Sequence, residues 1–338
     1  MFTARLKQIQ ARDQDFILFG LGRDQVSWRG MAYLGVVFFG SLAFAALLTH
    51  PVFWTAEWWH LRTGSRNAQW LMSKGEIAIF DRLRWFAILV GLPWLLRVCW
   101  SAPAMRLPFD RTALRAGASA FALGLALVAV LAGVQLMAAP VTARPGSHWT
   151  RVLAFLSGGL VVGLVEETIF RGLVLRAVYT ATRRPSWALV LTSIFFAYAH
   201  FGVPSGATVR AGSMIGFEAG PVIAWWTLAG ITVDFDPARF GSLFLLGMVL
   251  GMVRLRSASL WPAIGLHAGV VFGMLAYSDR YALDAHGASA LWDSTRLVNG
   301  WAAVGALSVA LPCVALWKHE SPRPGIARSE AAGRSKRG

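Results

Sequence analysis

Long apolar runs separated by short polar stretches organise the chain, and most of the runs exceed the length of any ordinary buried strand. Crossing about 30 Å of hydrocarbon takes roughly 20 apolar residues in a helix. Eight runs near that length are centred on residues 31–49, 84–101, 116–139, 151–176, 186–203, 240–256, 259–277 and 298–317. The pattern predicts an all-α fold, a polytopic transmembrane helical bundle of about eight spans. The first run is not a removable signal peptide: about thirty residues of mixed charge precede it, and it is long enough to span. Glycine pairs four residues apart, at Gly159 and Gly163, Gly247 and Gly251, and Gly265 and Gly269, predict close helix contacts in three of these runs.

Composition agrees: 56% of the 338 residues are hydrophobic and 14% charged, which is not the profile of a soluble globular domain. The formal charge of +15 would suit a nucleic-acid partner, but the cations are scattered among loops, so no nucleic acid is expected. Membrane topology accounts for them better. With both termini cytoplasmic, the inside segments hold Arg5, Lys7, Arg12, Arg23 and Arg29 and a basic tail, and cations inside outnumber those outside. The first outside loop departs from this bias, with Arg62, Arg66, Lys74, Arg82 and Arg84; part of it is expected to lie along the interface. Trp28, Trp54, Trp58, Trp59, Trp100, Trp149, Trp187, Trp261 and Trp317 fall near span ends, as an aromatic belt does. The two cysteines, Cys99 and Cys313, form no disulfide framework and are expected as small buried apolar groups.

Residues 1–30 form a cytoplasmic arm, and residues 318–338, basic and rich in breakers, a disordered tail suited to anionic headgroups. The long segment 204–239 contains the apolar patch PVIAWWTLAGITV beside Glu218 and Asp234, expected as a re-entrant or interfacial element. No internal repeat and no phosphate-binding glycine loop occurs.

Ionisable residues inside a membrane are costly and mark function. Three runs carry them: VEETIFRG with Glu166, Glu167 and Arg171, FFAYAHFG with His200, and WPAIGLHAGV with His267. Counting from Arg176, Ser186 and Ser259 at 1.5 Å per residue puts Glu166, His200 and His267 roughly 15, 21 and 12 Å deep, so one cavity can hold all three. Glu167 and Arg171 are four apart on a helix, the spacing of an ion pair. That pairing leaves Glu166, which with His200 is equipped as a general base for water, and His267 as a hydrogen-bond donor to an oxyanion. The same three side chains also form a ligand set for a divalent metal such as zinc. No HExxH supports that alternative, so no cofactor is predicted.

At these residues the sequence resembles the CPBP family, the CAAX prenyl protease and bacteriocin-processing proteins also called Abi or type II CAAX proteases. The EExxxR motif is Glu166, Glu167 and Arg171, followed by Gly172; FxxxH is Phe196 and His200; the third motif is SASLWPAIGLHAGVVF around His267. The likeness covers roughly residues 150–275. It implies an intramembrane endopeptidase of the glutamic type, in older descriptions a metalloprotease. In such proteins the first Glu and the second-motif His activate water, while the third-motif His and often an Asn four residues later hold the oxyanion. Carried over, these are Glu166, His200 and His267. The Asn position is Val271, which donates no hydrogen bond. The implied organisation is accessory transmembrane helices over 31–145, a CPBP-like catalytic core over 146–280 and a last span over 281–317.

The leading expectation is hydrolysis of a peptide bond in a membrane-associated or lipid-modified protein or peptide, within a lipid bilayer and in a bacterial inner membrane. A non-catalytic CPBP-like protein, serving immunity or sorting, is the alternative that Val271 favours. A proton-coupled transporter relaying protons through Glu166 and His200 is a third, disfavoured by the lack of repeat-related halves. Substrate identity and oligomeric state are not encoded in any recognisable motif.

Overall fold

A computed structural model describes residues 26–99, 111–145, 149–182, 184–201, 216–233, 235–257, 259–284 and 289–316. Most of the expected arm and the whole basic tail, together with Asp234 and the side chains of Trp28, Trp100, Trp149, Trp317 and Cys99, lie outside the described residues. The fold is an all-α helical bundle. Its helices are α1 (Val26–Thr63), α2 (Arg66–Met72), α3 (Gly75–Cys99), α4 (Arg111–Ala138), α5 (Trp149–Glu167), α6 (Leu175–Thr182), α7 (Pro185–Ala199), α8 (Ala219–Val233), α9 (Pro237–Arg256), α10 (Trp261–Arg280) and α11 (Trp301–Leu316).

Among the described residues, five segments are long and apolar enough to cross a membrane: Ala32–Thr63, Arg111–Ala138, Arg151–Tyr179, Pro237–Arg256 and Trp261–Arg280. The expected spans at 186–203 and 298–317 are the shorter apolar helices α7 and α11. The one at 84–101 falls in α3, whose first turns carry Glu76, Asp81, Arg82 and Arg84. The apolar patch in the long segment before α9 is a helix, α8, packed against α1 and α3. Its Tyr198 neighbour on α7 donates to the Leu228 carbonyl at 2.6 Å, tying α8 to the site-bearing half of the bundle.

Helix α10 is central, lying against α4 on one side and α5 on another. Small residues permit this approach: a Cβ at Gly159 would stand 2.8 Å from the Ala268 carbonyl oxygen and one at Gly163 2.9 Å from that of Ile264. On the opposite side, Cβ atoms at Gly265 and Gly269 would meet the backbone carbonyls of Gly117 and Phe121 in α4. Gly247 and Gly251 face Ser193 and Leu189, closing α9 on α7. All three glycine pairs thus lie at helix contacts, and α4, outside the segment bearing the motifs, is an integral neighbour of α10.

The far ends of α4 and α10 are joined by a short antiparallel ladder, Val141–Ala143 with Tyr281–Leu283, and the start of α5 is tied to the end of α10 by Arg151 with Asp279 at 2.6 Å. Cys313 is exposed on the outer face of α11, not buried as its apolar setting suggested. The outside of a membrane bundle is itself apolar, so hydropathy alone does not separate its outer surface from its core.

Candidate active site

The EExxxR segment is where the backbone leaves regular α geometry. After Glu167 the chain enters a π-helical stretch, Thr168–Val174, with the amide of Leu175 donating to the Phe170 carbonyl five residues back. Such wide turns occur often at functional sites. Here every residue of the stretch except Ile169 is buried.

Glu166, Glu167, Arg171 and His267 are 6, 0, 1 and 2% exposed. The Arg171 guanidinium donates from Nη1 to Glu167 Oε1 at 2.8 Å and from Nη2 to the Gly247 carbonyl of α9 at 3.1 Å. The i, i+4 pair expected from the sequence is therefore present, and it also bolts α9 onto the site. Glu167 Oε1 has a second neighbour that local spacing does not reveal, His267 Nδ1 at 2.8 Å.

Glu166 points into the same space. Its Oε2 lies 3.3 Å from His200 Nε2 and 3.9 Å from His267 Nε2, and it is buried without an aligned hydrogen-bond donor among the described residues. The three motif residues that the depth estimate allowed to meet do meet. Phe196, fully buried, forms the floor: its ring centroid is 4.4 Å from that of His200 and 5.9 Å from that of His267, and Arg171 Cζ stands 4.5 Å above it. Val271, one turn beyond His267, is half-buried and contributes no donor.

The hydrogen bonds determine both imidazole tautomers. His200 Nδ1 is 2.8 Å from the Phe196 carbonyl, which can only accept, so Nδ1 carries a proton and Nε2 faces Glu166. In His267, Nδ1 donates to the Glu167 carboxylate and Nε2 again faces Glu166. His200 is the residue nearest the surface, its side chain 28% exposed, at the C-terminus of α7.

Two further residues belong to the site without any signal in the motifs. Arg239, in the first turn of α9, donates from Nη2 to the His200 carbonyl at 2.7 Å and places Cζ 5.0 Å over the Phe201 ring. Gly247 supplies the carbonyl that takes Arg171. The helix start at Asp236-Pro237 is readable, and Asp236 Oδ1 does accept from the amides of Ala238 and Arg239 at 2.9 and 3.1 Å. That this cap aims an arginine at His200 is a tertiary fact. No group of three His, Cys, Asp or Glu side chains among the described residues is placed to hold a metal ion.

No curated protein and no solved structure matches the chain. A family description does, "Type II CAAX prenyl endopeptidase Rce1-like", over residues 147–273, the stretch that holds all three motifs. With five segments among the described residues able to cross a bilayer, the chain is an integral membrane protein whose residues 147–273 are similar to the Rce1-like type II CAAX prenyl endopeptidases.

Proposed function

We propose that the protein is a metal-independent, glutamic-type intramembrane endopeptidase whose substrate is a membrane-associated or prenylated protein, working in a bacterial inner membrane. One observation carries this reading: Glu166 Oε2 faces two imidazole Nε2 atoms at 3.3 and 3.9 Å, while its neighbour Glu167 is bound by Arg171 and His267.

The charges assign the roles. Buried charges persist only when balanced. Glu166 and Glu167 carry two negative charges against one on Arg171, and one further proton, shared among Glu166 and the two Nε2 atoms that face it, balances the set. With Nδ1 donating to Glu167, His267 presents Nε2 to the cavity and donates to an oxyanion when it holds that proton. Glu166 and His200 form the base.

A water beside Glu166 and His200 gives up a proton to this pair as its oxygen bonds to the substrate carbonyl carbon. The carbonyl oxygen takes the negative charge and receives the His267 Nε2–H. Collapse breaks the C–N bond, and the base returns the proton to the leaving amine. Val271 leaves His267 as the side-chain donor that this motif supplies. Residues 146–280 then form the catalytic core.

The test is to compare new peptide termini in membranes of cells making wild type, Glu166→Gln, His200→Ala or His267→Ala, followed by cleavage of the identified substrate with purified protein. Loss of the general base lowers turnover about 10²- to 10⁴-fold, and loss of the oxyanion donor about 10²- to 10³-fold. Turnover survives chelation with EDTA, and purified active protein carries no stoichiometric zinc by mass spectrometry. A folded Glu166→Gln protein that cleaves like wild type sinks the assignment. Val271 favours one other reading, a non-catalytic relative, for which Glu166→Gln would preserve the cellular phenotype.

A further inference from the structure

Three of the cations that break the topological bias of the first outside loop, Arg62, Arg66 and Lys74, lie at the ends of α1 and α2. Helix α1 has 38 residues, about 57 Å of helix, well beyond the 30 Å or so of hydrocarbon. Its last turns therefore run at the headgroup level, where Trp54, Trp58 and Trp59 are all exposed, as side chains with an apolar body and a polar tip are at that depth. Gly64, with φ +64°, reverses the chain. The Ser65 hydroxyl caps α2 by accepting from the Ala68 amide, and α2 folds back along α1.

Between the two helices lies a cavity of about 550 Å³. Its walls include Pro51, Val52 and Ala56 of α1 and Ala68, Trp70 and Leu71 of α2, almost wholly apolar. Arg62 lies in the last turn of α1, Arg66 begins α2 and Lys74 follows it, with Arg62 Cζ 5.0 Å from the Trp58 ring and Lys74 Nζ 5.2 Å from that of Trp70, which lines the cavity. These ring contacts keep two cations at the rim instead of extended into water. The stretch 51–75 holds one acidic residue, Glu57, exposed, and none of the three cations is in an ion pair among the described residues. An apolar slot at headgroup depth, edged by unpaired cations and indole rings, matches a molecule with one apolar chain and one anionic head.

We propose that the α1–α2 elbow is a binding site for one anionic phospholipid, an acyl chain filling the cavity and the phosphate held by Arg62, Arg66 and Lys74. The site is separate from Glu166 and its partners and does not depend on the proposed catalysis. Each cation beside an anionic headgroup strengthens binding by a factor of about five, so the three together contribute about a hundredfold.

Full-length purified protein in detergent is titrated with palmitoyl-oleoyl phosphatidylglycerol or the corresponding phosphatidylcholine, and retained lipid is counted by native mass spectrometry. Wild type retains one phosphatidylglycerol at concentrations where phosphatidylcholine is not retained. The Arg62→Gln/Arg66→Gln/Lys74→Gln protein needs at least tenfold more of it. Thr55→Trp, which fills the cavity from an exposed position and leaves every cation in place, loses retention as well. Asn67→Trp, on the other wall, serves the same purpose should Thr55→Trp misfold. Equal retention of the two lipids, or unchanged phosphatidylglycerol retention by the triple variant, overturns the proposal. Retention that survives filling of the cavity also overturns it, showing headgroup adsorption to the basic rim without an acyl site.

Discussion

Arg171→Met tests the charge balance on which the catalytic reading rests. The guanidinium is 1% exposed, donates to Glu167 at 2.8 Å and to the Gly247 carbonyl at 3.1 Å, and stands over Phe196. Methionine keeps the stem but strands a carboxylate with no access to water. Removing one member of such a buried pair costs about 3–5 kcal/mol, a factor of about 150 or more in the unfolding equilibrium. Removing both partners is different, because no charge is left stranded. Glu167→Gln/Arg171→Met loses hydrogen bonds at about 1 kcal/mol each and should be the more stable of the two proteins. Glu167→Gln alone should be milder than Arg171→Met, since its amide oxygen still accepts from Arg171 and His267, and Arg171 still faces Glu166.

The assay is equilibrium unfolding in mixed micelles, titrated with sodium dodecyl sulfate and followed by loss of helical circular dichroism. The expected order of stability is wild type, Glu167→Gln, the double variant, then Arg171→Met, with a coupling of at least about 2 kcal/mol. Additive single effects, or an Arg171→Met protein within about 1 kcal/mol of wild type, would refute the argument that Glu167 and Arg171 neutralise each other. Glu167→Gln also separates structure from chemistry. It weakens the acceptor that orients His267 while leaving Arg171 a partner, so turnover should fall far more than stability does.

Three further outcomes follow from other contacts. Gly265→Val drives a side chain into the Gly117 carbonyl of α4 and should cost about 1–3 kcal/mol or more by overpacking, read in the same titration; a neutral result would mean that α4 and α10 are not in close contact. Arg239→Gln frees the His200 carbonyl and should lower kcat with little change in KM, with Arg239→Lys recovering most of the loss; a change confined to KM would place Arg239 in substrate binding instead. Outside the spans, burial raises Glu76 above its ordinary value of 4.5, with Glu218 adding and His50, 3.5 Å away, opposing. A raised carboxylate stabilises the fold fully below its unfolded value and loses that contribution as pH rises through the folded value. Wild type should therefore lose stability relative to Glu76→Gln as pH rises above the ordinary carboxylate value of 4.5, measured by thermal unfolding, and a pH-independent difference would contradict the burial argument.

What could be read from the chain and what could not divide along a physical line. Features set by spacing within one helix were visible: the apolar runs, the four-residue glycine pairs, and Glu167 with Arg171, because helical geometry alone brings i and i+4 together. Features set by one helix meeting another were not. His267 Nδ1 reaching Glu167 Oε1, Arg171 reaching the Gly247 carbonyl and Arg239 reaching the His200 carbonyl each join residues far apart in sequence, and no periodicity encodes them. The π-helical turn at Thr168–Val174 was hidden for another reason: its residues carry an ordinary apolar pattern, and the wider turn arises as Phe170, Arg171 and Val174 are packed into the core.

The hidden contacts also change what the visible ones mean. Local spacing suggested a structural pair, Glu167 with Arg171, beside a separate catalytic glutamate. Yet Glu167 Oε1 receives both Arg171 Nη1 and His267 Nδ1 at 2.8 Å, so the same oxygen that neutralises the arginine also orients the histidine. With Nδ1 committed, His267 can donate into the cavity only when Nε2 also carries a proton, and the carboxylates of Glu166 and Glu167 are the anions beside it. In the proposed reaction the second glutamate of EExxxR is a positioning residue for the oxyanion donor. An imidazolium is a stronger donor than a neutral amide, which gives a physical reason why a chain with Val271 in place of the usual asparagine need not lose its oxyanion site.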